Sequence, residues 1–410
     1  MQRYLSRRAF AVSPVAALIA ASASADNGLA REQQSSTPVL DAEQSTLRHL
    51  LGHIPIAYAE TNSAIHFADI AGHFAAIGRS VPTSDADNNY ELWENLFAES
   101  GWYEGDFLAF LRSDWEELTG IDVFQMAAQL ELTDAAGERP FRIATGVFDE
   151  TAMAQALEHT GYAEVTLPGA RSWDLALSDD AVEALAWESS FLSFMSGEND
   201  HVALIGDHTV VFASSRATLE DIVQTILGEQ DSVLANPSFA SIVQAARADI
   251  VSAMIVPGER FDVRGEDLYT DPNLSPEQQE QERDALESGP LGTMFPFQLA
   301  LLGISPGGPI HGEDYGLPQA SWQIVLALEN VHHAESLTDA IPKRFATMYS
   351  RASRTPYSSL MPMISVELER AGETPAVDIQ LASDVEPRNR KALYDMYLSK
   401  DLRFLYFGDA

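Results

Sequence analysis

The chain has no cysteine in its 410 residues. That absence excludes disulfides, thiolate metal sites, a cysteine nucleophile and a lipidated N-terminal cysteine. Positive charge is scarce too: 25 Lys and Arg face 61 Asp and Glu, for a formal net charge of -36. Lysine itself occurs at Lys343, Lys391 and Lys400 and nowhere else. Phosphate backbones and anionic headgroups are bound by clustered Lys and Arg, so the composition argues against nucleic acid as a partner. An acidic, lysine-poor surface stays soluble in concentrated salt, where self-repulsion is screened, and predicts a halophilic source. An ordinary acidic exported protein would carry a milder version of the same bias.

Long apolar runs are also missing after the first 25 residues. Those residues, MQRYLSRRAFAVSPVAALIAASASA, have a basic start, an Ala-rich middle and a small-residue end. The pattern predicts a signal peptide cleaved between Ala25 and Asp26. Within it, Ser6-Arg7-Arg8-Ala9-Phe10 resembles the twin-arginine (Tat) type of export signal, with Ala11 and Val12 where that motif usually ends in Leu-Lys. The resemblance implies export after folding; the rest of the segment equally suits the Sec route. Ser13, Pro14, Ser22 and Ser24 interrupt it too often for a membrane span, so the mature chain is expected to be periplasmic or extracellular with no membrane span.

A chain of this length exceeds one ordinary core, and its pattern divides further. Residues 26–45 are polar and read as a flexible leader. Residues 46–135 carry helix-like spacings such as Leu47, Leu50 and Leu51, predicting a mainly helical N-terminal region. Residues 136–260 spell strand-helix-strand-strand-helix-strand. The first unit runs from 141 to 167, with Asp149 as helix cap and Gly161 as terminator. The same unit order recurs over 320–410, after a Pro, Gly and Glu-rich linker or insertion at 261–319. The expected fold class is therefore α+β, with two ferredoxin-like (βαββαβ-order) modules following the helical region.

Candidate chemistry is sparse. Gly303-Ile304-Ser305-Pro306-Gly307 matches the G-x-S-x-G nucleophile elbow, but Pro306 has no N–H to donate to an oxyanion. His66, Asp69 and His73 would share one side of a helix and could hold zinc. The competing reading makes 63–67 a strand, with His66 outward and Asp69 capping the helix that follows. His49 and His53 are four apart yet lack the glutamate of an H-E-x-x-H pair. Asp85, Asp87 and Asn89 occupy calcium-loop positions, although Tyr90 and Leu96 stand where glycine and a bidentate glutamate belong. His311, Glu313 and Asp314 lie together in a Gly-Pro-rich loop and could serve as acid and base. No cofactor is predicted; zinc and calcium are the two metals these spacings admit.

Two functions fit this pattern. One is a non-enzymatic exported protein that binds a ligand or an envelope partner. The other is an exported hydrolase or metal-dependent enzyme whose site is assembled from distant segments.

Overall fold

The computed structural model of the protein describes residues 45–84, 86–93, 115–134, 140–176, 199–262, 275–280, 291–306, 321–350, 352–370, 374–382 and 392–407. All of them belong to one unit, Thr37–Ala410. Helices begin where a short polar side chain can accept a free backbone N–H. Ser45 caps α1 (Thr46–Leu51), Asp69 caps α2 (Ile70–Ala76), and Asp149 caps α3 (Glu150–His159). Ser215 caps α4 (Arg216–Ile226) and Asn236 caps α5 (Pro237–Ala245), whose proline sits in the first turn. Asn330 caps α6 (Val331–Thr347); α7 (Tyr357–Leu360) and α8 (Ala392–Leu398) follow. A cap of this kind stabilises by about 1 kcal/mol.

The strands are β1 (Ala64–Asp69), β2 (Met126–Thr133), β3 (Phe141–Gly146), β4 (Tyr162–Leu167), β5 (Ala170–Leu175) and β6 (His201–Ile205). Then come β7 (Thr209–Ala213), β8 (Ser252–Pro257), β9 (Leu299–Ser305), β10 (Ser321–Ala327), β11 (Met363–Glu369) and β12 (Ala376–Ala382). All twelve join one sheet in the order β11-β12-β10-β9-β8-β1-β2-β3-β7-β6-β5-β4. Every neighbouring pair is antiparallel.

This corrects the expectation of two ferredoxin-like modules. The strands assigned to both modules lie in a single sheet, joined through the β8–β9 ladder and completed by β1 and β2. The N-terminal region is not mainly helical either, because it supplies those two central strands. The final strand of the order expected over 320–410 is absent among the described residues: Arg403–Leu405 is a 3-10 turn, and Phe407 makes one isolated bridge to Asp262.

Helices cover both faces, because most strands are buried on both sides. On one face, Ile65, Phe67, Leu130 and Ile143 pack under α1, α4 and α5. On the other, two cores lie side by side. One gathers Trp173, Val210 and Phe212 with α2 and α3; the other gathers Leu302, Trp322 and Ile379 with α6, α7 and α8. The edge strands differ: β4 and β11 are half exposed, as strands with one open side should be. The β11–β12 ladder shifts between Met363 and Ser365, which leaves Ile364 as a bulge residue, 59% exposed. Among the described residues, no helix is long and apolar enough to cross a membrane.

Candidate functional site

At one end of β1, β2, β3 and β7 the sequence supplies little bulk. The register pairs Asp69 with Ala128, Ala128 with Thr145, and Thr145 with Thr209, so these four residues form one row across four strands. Ala127 is extra in this ladder: the register between β2 and β3 shifts between Met126 and Ala128. A bulge of this kind bends its strand and breaks the close packing around it. Over the row lies a cavity of about 870 Å³.

Its walls come from four elements. Helix α1 gives Thr46 and His49, and His53 follows one turn later; α2 gives Ala71, Gly72 and Ala75. The end of α4 gives Ile226, and the β6–β7 turn gives His208. That turn contains Gly206 at φ +60, a conformation that favours glycine and tightens the hairpin. Small residues thus make the space, and three imidazoles, one carboxyl and three threonines provide polarity.

The polar groups are held differently. Asp69 Oδ1 accepts from Gly72 N at 2.7 Å as the cap of α2, and Thr46 also hydrogen-bonds its side chain. Burial raises the Asp69 pKa above the usual carboxyl value, against the lowering effect of those two bonds. A Cβ at Gly72 would lie 2.5 Å from Asp69 Oδ2, so a larger residue there displaces the carboxyl.

His53 is 9% exposed, and its Nδ1 is enclosed without a hydrogen-bond partner. This leaves Nε2 as the nitrogen able to meet a ligand. Burial, with a smaller contribution from His49, lowers the His53 pKa to about 3. The two rings pack edge to face with centroids 4.6 Å apart, and burial lowers the pKa of His49 as well. His208 lies between two acceptors, the Gly146 carbonyl at 3.2 Å from Nδ1 and the Asp207 carboxylate at 2.9 Å from Nε2.

The residues singled out from sequence fare unequally. Asp69 lines the cavity, but His66 and His73 do not join it. Residues 64–69 are a strand, so His66 projects from the face opposite Asp69, and His73 is buried within α2. The shared helical side is thereby corrected to the competing arrangement, strand followed by capped helix. Among the described residues, no three His, Asp or Glu side chains stand close enough to share a metal ion.

Asp87 and Asn89 are engaged in their own turn: Asp87 Oδ1 accepts from Asn89 N at 3.0 Å, and Asn89 Nδ2 donates to Ser80 O at 3.1 Å. Ser305 ends β9 and donates to Asp249 Oδ1 at 3.0 Å, with 1% exposure. Ala25, Asp26, Asp85, His311, Glu313 and Asp314 lie outside the described residues. His49 and His53 had a legible spacing; His208 had only its place at a hairpin tip. Thr46, Thr145 and Thr209 carried no sequence signal, because a cross-strand register brings the last two together.

Three crystal structures of TP0453 are similar over most of both chains. Form I is 12% identical, covers 86% of this chain and 97% of that one, and has a TM-score of 0.36. Form III gives 10%, 83%, 97% and 0.33, and form IV gives 11%, 83%, 96% and 0.35. No protein-family model matches the chain, and no curated protein sequence matches it.

Proposed function

We propose that this is an exported, non-enzymatic binding protein of the periplasm or cell exterior whose small-molecule ligand occupies the cavity above the Asp69–Ala128–Thr145–Thr209 row. The cavity is the observation that carries this reading. Its volume of about 870 Å³ falls within the range of small-molecule pockets, and its walls combine small apolar residues and Ile226 with seven polar side chains. The basic, Ala-rich segment before Asp26 supports export.

An exported hydrolase or metal-dependent enzyme is the second reading, favoured by imidazoles and a carboxyl in one cavity. A general base works best with a pKa near the operating pH, and His53, at about 3, is a weak base. That argues for holding a ligand over moving its protons.

Titration with the neutral apolar fluorophore Nile red tests the reading. Saturable one-site binding is expected in the wild type and should disappear in Ala71→Phe, which fills the cavity from α2, with little change in melting temperature. Absence of saturable binding to the wild type, or its survival in a folded Ala71→Phe variant, would reject the cavity as the ligand site. Multiple turnover of an ester panel, lost in the same variant, would favour the enzyme.

A further inference from the structure

We propose that the ligand is an organic cation, an ammonium group on an apolar body, with the ammonium seated against Asp69 and His53. This rests on the cavity being a ligand site. The argument begins with charge. Among the described lining residues, Asp69 is the acid, and there is no Lys or Arg. The protein groups that hydrogen-bond the Asp69 side chain are neutral: the Gly72 amide and the Thr46 hydroxyl. A buried carboxylate without a counter-charge is costly, and a cation placed beside it recovers much of that cost.

His53 does not take that role. With its pKa at about 3, His53 is neutral at pH 7 and offers an imidazole nitrogen, not a positive charge. His53 lines the cavity with its Nδ1 enclosed, so contact with a ligand falls to Nε2. An anionic head group would meet the Asp69 acid with no Lys or Arg in the lining to offset it. The remaining lining, Ala71, Ala75, Ala127 and Ile226 among it, suits a hydrocarbon body. The chain's net charge of -36 also draws cations toward every opening on its surface.

Three probes with one chain and different head groups separate the possibilities: octylammonium, octanol and octanoate, each measured by displacement of Nile red and by calorimetry at pH 7. Octylammonium should bind about tenfold more tightly than octanol, and octanoate more weakly than either. In Asp69→Asn the ammonium should fall to the level of octanol while octanol is unchanged. Asparagine keeps an acceptor oxygen for the Gly72 amide, so α2 retains its cap. The wild-type series remains decisive even if that variant folds poorly.

Octylammonium binding no tighter than octanol, or keeping its advantage in folded Asp69→Asn, overturns the cation assignment. If Nile red still binds and Ala71→Phe still abolishes it, the ligand-binding function survives that result. Failure of Nile red and all three octyl probes removes both.

Discussion

Single residues set the pH response of this protein. His53 and His49 are harder to protonate when folded than when unfolded, so the unfolded chain binds more protons below the ordinary imidazole value. Their contribution is complete above about 6.5 and is lost as pH falls toward 3. Asp69 acts in the opposite sense. Its raised pKa favours the folded state below the ordinary value of 3.8, and that favour is lost as pH rises through the folded value. The lowering of His53 to about 3 predicts that urea midpoints fall between pH 7 and pH 4.5, and His53→Gln should flatten the fall. An unchanged midpoint in the wild type would contradict the burial assigned to His53. Gly72→Ala is expected to displace the Asp69 carboxyl, destabilise the fold by about 0.5–2 kcal/mol through the lost cap, and weaken ligand binding. A variant with wild-type melting and binding would show that the carboxyl has room to move.

Elements carry the tension between local preference and sheet context. Gln129 of β2 is 1% exposed, and neither of its amide atoms has a hydrogen-bond partner. Its register neighbours are the small Ala68 and Ala144. Gln129→Met should therefore raise stability by about 1–3 kcal/mol in urea unfolding, since it removes buried, unsatisfied polar groups while keeping volume. A lower midpoint would point to a solvating water at this position.

The same strand shows why the fold was partly hidden. MAAQLELT is rich in Ala, Gln, Leu and Glu, which favour helices, yet β1 and β3 flank it and make it a central strand. The cap at Asp149 was legible because it acts on amides two and three residues away. The cavity was not, because Asp69 and Thr209 share a row only through three successive ladders. His49 and His53 were visible as a pair, but their burial and their neighbour Asp69 follow from tertiary packing alone.

At the scale of the whole molecule, the described residues build one sheet of twelve strands in a chain of net charge -36. Such a charge opposes compaction, and at 1 M salt the screening length shrinks to about 3 Å. The melting temperature is therefore expected to rise steeply between low and molar KCl; a flat or falling midpoint would reject a halophilic design. Screening has a second effect at the sheet margin. Glu367 and Glu369 on β11 repel another copy only while their charges are felt, and brine mutes them. The Ile364 bulge is indifferent to salt: it offsets the ladder, so a second chain laid along β11 meets a kink where it would need a straight template. Protection against fibril growth thus resides in the contour of this edge, where ionic strength does not reach it.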